Sequence, residues 1–245
     1  MRSRRFHTSQ PLHAQQSILL EEAASHHLLR VLRLRPGDRL TVFNGDGREY
    51  SALFSGQEDR RARLSIIEAH RVDRESPLRI TLGQGISRGE RMDFVLQKSV
   101  ELGVRAITPL WTRRSQVRLQ GKRLLKRQAH WQGVIHSACE QSGRTLVPRL
   151  WPATELRDWC AAATREETAL VLDPAARLRL RDVEPTRAIR LLIGPEGGLE
   201  EDELAAADSH GFLRIAMGPR ILRTETAALA ALAAVQTLWG DLASG

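Results

Sequence analysis

The hydrophobic period of this chain changes once, and that change sets its architecture. Up to about residue 72, apolar and polar residues alternate in short runs, the period of half-buried strands. Arg39-Leu40-Thr41-Val42-Phe43 and Glu49-Tyr50-Ser51-Ala52-Leu53-Phe54 flank the hairpin signal Asn44-Gly45-Asp46-Gly47, and Arg61 to Ile67 alternates again. A short helix is expected between Glu21 and Leu32, before the turn Pro36-Gly37-Asp38. Asp73-Arg74-Glu75-Ser76-Pro77 is polar, carries a proline and reads as a linker. Beyond it, short apolar runs alternate with helical patterns. Strands are expected at Leu78–Leu82, Ala106–Leu110, Ala169–Leu172, Ile189–Ile193 and Leu213–Met217. Helices are expected at Met92–Leu102, Arg118–Gln141, Glu200–Ser209 and Thr224–Trp239. That alternation implies a parallel sheet with helices on both faces. The chain is therefore read as α/β, a small β-barrel over residues 1–72 followed by a sheet domain over 73–245.

Charge narrows the partners. The chain of 245 residues carries 37 Lys+Arg against 29 Asp+Glu, a net charge of +8, which favours a polyanion. Only Lys98, Lys122 and Lys126 are lysines, and arginine suits phosphate forks and base stacking. The clusters Arg2/Arg4/Arg5, Arg30/Arg33/Arg35, Arg60/Arg61/Arg63 and Arg113/Arg114/Arg118 either follow an RNA backbone or form solvated surface. The longest apolar stretch, Ala227 to Val235, is too short for a membrane span, and the basic start lacks a signal-peptide core, so a cytoplasmic protein is expected. Cys139 and Cys160 make no disulfide framework. His136 and Cys139 have helical i,i+3 spacing but no second ligand pair, so no metal is expected.

Two glycine-bearing junctions stand where a short apolar run stops and a helical pattern starts. They are Ile193-Gly194-Pro195-Glu196-Gly197-Gly198-Leu199 and Met217-Gly218-Pro219-Arg220-Ile221-Leu222-Arg223-Thr224-Glu225-Thr226. Neither matches a dinucleotide or phosphate-loop fingerprint. Glu200, Glu201, Asp202 and Glu203 complement a helix dipole and repel a phosphate at that helix start. Two such loops at neighbouring strand ends suit one compact polar ligand without phosphate.

These junctions, with Ser87-Arg88-Gly89-Glu90-Arg91-Met92-Asp93, Gln97 to Val104, Ala138 to Arg144 and His26 to Arg33, resemble the RsmE family in order along nearly the whole chain. That is the family of 16S ribosomal RNA uridine-N3 methyltransferases within the SPOUT superfamily. The resemblance implies a PUA-like RNA-binding barrel, then a trefoil-knotted domain, a homodimer, and S-adenosyl-L-methionine held in the knot loops. Carried onto this chain, the cofactor site comprises Leu172, Ile193, Gly194, Pro195, Gly197, Gly198, Met217, Gly218, Ile221, Leu222 and Thr224. Met217 stands where the family pattern has Leu, a volume-conserving change. Arg4, Arg5, Arg30, Arg33, Arg88 and Arg91 are the RNA-binding candidates.

Uridine N3 must lose its proton before it attacks a methyl group. Arg223 next to O2 or O4 stabilises the forming negative charge. Glu225 either accepts the proton or orients Arg223, Glu196 is a second acidic candidate, and Thr224 is placed as the cap of the last helix. Two alternatives remain. One is a SPOUT methyltransferase acting on another RNA site, such as a tRNA ribose 2′-OH; the other is a non-catalytic RNA-binding ribosome-assembly factor.

Overall fold

The computed structural model describes residues 4–115 and 120–243. Its contacts divide the chain into two compact units, Met1–Glu75 with His136–Val147, and Ser76–Ile135 with Pro148–Gly245. Arg2 and Arg118, two members of the expected arginine clusters, lie outside the described residues.

In the first unit, β1 (Arg5–His7), β2 (Ser17–Leu19), β3 (Arg39–Phe43), β4 (Arg48–Glu58) and β5 (Arg61–Arg71) form one sheet in the order β1-β3-β4-β5-β2. Alternate residues Tyr50, Ala52 and Phe54 of β4 and Ala62, Leu64 and Ile66 of β5 are buried in one core with Phe6, Ile18 and Val42. All five strands thus present one face to the same core, which curls the sheet. Side chains join its two edges. Gln10 Nε2 donates to the Leu19 carbonyl at 2.7 Å, and the hydroxyls of Thr8 and Ser9 donate to Glu21 Oε1 at 2.9 and 2.8 Å. The helix expected after Glu21 is α1 (Glu22–His26), which widens into a π-turn at His27–Val31 and drops Leu28 into the core.

The sheet of the second unit is wholly parallel. It contains β6 (Arg79–Gly85), β7 (Ala106–Trp111), β8 (Arg149–Leu150), β9 (Thr154–Glu155), β10 (Thr168–Leu172), β11 (Ala188–Ile193) and β12 (Leu213–Ile215). The order is β12-β10-β11-β6-β7-β8, with β9 also beside β7. β6 and β11 are almost continuously buried, as strands covered on both faces must be. α4 (Leu156–Ala161) and α5 (Glu201–Ser209) bury Leu156, Trp159 and Leu204 with Leu110, Val171 and Leu192 of the sheet. α2 (Glu90–Glu101) packs on α6 (Thr224–Trp239), where Ala228 and Ala231 allow close approach. α3 (Gly121–Ser142) is the long basic helix expected there. Among the described residues no helix is long and apolar enough to cross a membrane.

Chain order and strand order part company at β11. The chain enters β11 between β10 and β6, then crosses to place β12 outside β10. The carboxyl ends of β10, β11 and β12 therefore stand side by side. Loops at such a switch in an open parallel sheet are where ligands bind.

Candidate functional site

The loops after those three strands enclose a cavity of about 340 Å³, within the usual range for small-molecule sites. Leu172, Ile193, Leu204 and Ile215 give it apolar walls, and every residue expected to hold the cofactor lines it. Gly194 is there for space: a Cβ would stand 3.1 Å from both the Gly198 carbonyl carbon and Leu199 Cγ. Gly218 is there for conformation, since its φ is +80° and its surroundings are open.

A buried polar knot of side chains holds the loops together. Thr224 Oγ1 donates to the Gly194 carbonyl at 2.6 Å, and Gln84 Nε2, fully buried at the end of β6, donates to Thr224 Oγ1 at 3.0 Å. Thr224 is therefore not the cap expected of it. Arg223 is the N-cap of α6, with extended φ and ψ and no side-chain cap bond, and the Thr224 hydroxyl is spent on Gly194. Gln84 went unnoticed in the sequence. Its one signal is a polar side chain continuing an apolar strand, which demands a buried partner.

Arg91, at the start of α2, brings the two acidic candidates together. Glu196 Oε1 accepts from the Arg88 N–H at 2.9 Å and from Arg91 Nη1 at 3.2 Å, while Arg91 Nε lies 4.0 Å from Glu225 Oε1. Burial pushes the Glu196 carboxyl up, but the N–H groups of Arg88 and Glu196 and the Arg91 guanidinium outweigh it and hold it below its ordinary value. Oε2 of Glu196 and Oε2 of Glu225 are buried with no hydrogen-bond partner among the described residues. Glu225 lies beside Arg91, and no hydrogen bond or ion pair joins it to Arg223 among the described residues. Arg223 itself is exposed and carries no ion pair among the described residues.

The acids before and in α5 act within the protein. Glu203 Oε2 accepts from the Glu200 N–H at 2.9 Å, and Glu203 Oε1 accepts from the Arg113 N–H at 2.9 Å. Asp202 pairs with Arg113 Nη2 at 2.6 Å. Arg114 then reaches the Gly197 carbonyl at 2.8 Å. The segment after β7 is thus clamped onto one cavity loop, and the Arg113/Arg114 pair, left open between an RNA contact and solvated surface, has its charge balanced in place.

Of the RNA candidates in the first unit, Arg30 and Arg33 are exposed and free of ion pairs among the described residues, and Arg4 is exposed beside Asp38 at 3.4 Å. Arg5 is turned inward. It pairs with Glu49, donates to the Arg144 carbonyl at 3.1 Å and lies 4.9 Å from the centre of the Phe43 ring, so burial withdraws it from any RNA face. Arg61 is likewise used internally, on the carbonyls of Leu19 and Leu20. Burial pushes the thiols of Cys139 and Cys160 up to about 12, which keeps both uncharged.

A parallel sheet whose last three strands gather their loops around one cavity, together with an all-β unit, matches two family descriptions. Residues 74–236 match the RNA methyltransferase domain, and residues 20–67 match the RNA methyltransferase PUA domain. The chain belongs to the ribosomal RNA small subunit methyltransferase E family. It is 37% identical over 234 residues to the member from Buchnera aphidicola of Schizaphis graminum, with 94% of each chain covered. The Neisseria gonorrhoeae member, solved bound to S-adenosylmethionine, is 44% identical with a TM-score of 0.90, over 98% of this chain and 99% of that one. A methyltransferase of Legionella pneumophila, also solved with bound S-adenosylmethionine, is 40% identical with a TM-score of 0.95, over 99% of this chain and 100% of that one.

Proposed function

We propose that this protein transfers a methyl group from S-adenosylmethionine to N3 of one uridine in 16S ribosomal RNA, acting on the small subunit in the cytoplasm. The observation that carries the reading is the cavity at the three adjacent strand ends. Its apolar walls and close-approaching Gly194 suit an adenosine. The carboxylates Asp173 and Glu196 in its lining suit a positive sulfonium. The cofactor supplies the activated methyl group.

This chain's residues supply the rest. Backbone groups of Ile193, Gly194, Met217 and Leu222 hold the adenosine part. Arg223, at the helix start beside Thr224 of the cavity lining, stabilises the uridine imide as it loses its N3 proton. Glu196 and Glu225 share Arg91, and each keeps one buried oxygen unpartnered among the described residues, so both are candidates to take that proton, Glu196 at a cost because its carboxyl is held below its ordinary value. Residues 1–72 grip ribosomal RNA, with Arg4, Arg30 and Arg33 on the RNA side, while Arg88 and Arg91 serve beside the cavity.

The reading includes a trefoil-knotted path through the cavity loops, which the crossing at β11 supports, and a homodimer packed through helices of the second unit. Phe94 on α2 and Leu238 on α6, 43% and 50% exposed, support the latter. The test is calorimetric titration with S-adenosylmethionine, followed by mass analysis of nucleosides after reaction with unmethylated small subunits. Saturable binding and 3-methyluridine are expected; the absence of both cofactor binding and methylation would leave only an RNA-binding factor.

A further inference from the structure

A second concavity of the same unit lies on the sheet face that carries α4, away from the cavity loops. Parallel register aligns Arg190, Thr81, Ala106 and Arg149 across β11, β6, β7 and β8, so these four residues share one face. The next row is Leu192, Gly83 and Thr108. Gly83 lets the Trp159 ring lie against the sheet, since a Cβ there would come within 2.7 Å of it. Small side chains in the middle, Trp159 from α4 and Trp151 after β8 leave a groove of about 730 Å³. Thr81 lies four residues, ~13 Å of strand, before Gly85, which abuts the cavity loop at Pro195.

The charges of the groove are unequally used. Arg190 is bound to Glu167 at 2.9 Å and to the Trp159 carbonyl at 3.2 Å. Arg105 and Arg149 are exposed and have no carboxylate partner among the described residues. The Arg149 guanidinium lies 3.4 Å from the centre of the Trp151 ring. Trp151 is 39% exposed, and its backbone is pinned by an N–H bond to the Ile107 carbonyl at 2.9 Å. Asp158 is the one acid in the lining. Two unneutralised guanidiniums beside an exposed, anchored indole are what a single nucleotide strand requires: a charged track for phosphates and a platform for a base.

We propose that this groove is a second RNA contact, seating one unpaired nucleotide of the substrate strand, with its base on Trp151 and its flanking phosphates on Arg105 and Arg149. It rests on the reading that the substrate is RNA, and it adds a binding site separate from the first unit and from the methyl-transfer cavity.

The test uses the full chain and a mixed-sequence single-stranded oligoribonucleotide, followed by fluorescence anisotropy across a salt series, with S-adenosylmethionine titrated in parallel. Arg105→Ala with Arg149→Ala is expected to lower the salt slope by ~1.4, the share of two phosphates on a single strand. Trp151→Ala is expected to weaken RNA binding about tenfold while leaving the slope, and Trp151→Phe to retain most of the affinity. Cofactor affinity should be unchanged throughout. Wild-type RNA affinity and slope in the variants would overturn the groove alone, as would equal losses in Trp151→Ala and Trp151→Phe. Failure of the wild type itself to bind RNA would overturn the functional reading as well.

Discussion

The hydroxyl of Thr224 donates to the carbonyl of Gly194 at 2.6 Å, thirty residues earlier in the chain, and accepts from buried Gln84 at 3.0 Å. One hydroxyl thereby fixes the loop after β11 to the first residue of α6. Thr224→Val keeps the shape but removes both of these bonds, a loss of ~1–3 kcal/mol, and leaves Gln84 Nε2 to the Gly85 and Gly194 carbonyls at 3.1 and 3.3 Å. Urea unfolding is expected to show that loss, and calorimetry a fall of tenfold or more in S-adenosylmethionine affinity. Thr224→Ser should restore most of both. Unchanged cofactor affinity in Thr224→Val would detach this contact from the cavity.

The two cavity glycines are expected to fail differently. Gly194 lacks room, so Gly194→Ala and Gly194→Val should both damage cofactor binding, in order of size. Gly218 has room but needs φ of +80°, so Gly218→Asn should be tolerated far better than Gly218→Val. Calorimetric affinities of the four variants check this; equal losses in Gly218→Asn and Gly218→Val would contradict it.

Acid is expected to weaken the first unit through a histidine pair. His7 and His136 stack with centroids 3.8 Å apart, and burial, then the neighbouring His7, pushes His136 down to about 4 from an ordinary 6.5. Between those values the unfolded chain binds more protons. The contribution is therefore full above pH 6.5 and is lost as the pH falls toward 4. Urea midpoints at pH 7 and pH 5 should fall less for His136→Gln than for the wild type. An equal fall would remove the pair from the acid response.

What the sequence revealed was what repeats or what turns. The strands flanking Asn44-Gly45-Asp46-Gly47 and the long helices carry periodicity or punctuation, and the structure has them within a few residues. The three-residue strands β1 and β2, the two-residue β8 and β9, and six-residue α4 are too short to show a period, and none was foreseen. Both cavity junctions were legible because glycine marks sharp turns. Gln84 and Arg114 were not, since their roles come from long-range contacts 110 and 83 residues apart in the chain. Arg5 misled because a cluster of arginines says nothing about which one turns inward to Glu49.

Arg223 carries the proposed chemistry. It is exposed at the cap of α6, so Arg223→Ala should leave folding and cofactor affinity nearly intact. Single-turnover transfer on small-subunit particles should drop by ~10²–10³, the usual effect of losing a preorganised charge donor. Lysine should rescue in part, having charge without the planar fork. Higher pH should also recover some rate, because more uridine is then ionised. Wild-type rates in Arg223→Ala at neutral pH would make it a surface residue.

The central claim is tested most directly by mapping base methylation in 16S ribosomal RNA from a strain deleted for this protein, with and without the gene restored. The expected result is one 3-methyluridine that disappears on deletion, returns with the wild-type chain and does not return with Arg223→Ala. An unchanged map, or a lost ribose 2′-O-methyl group in place of the N3 mark, would contradict it.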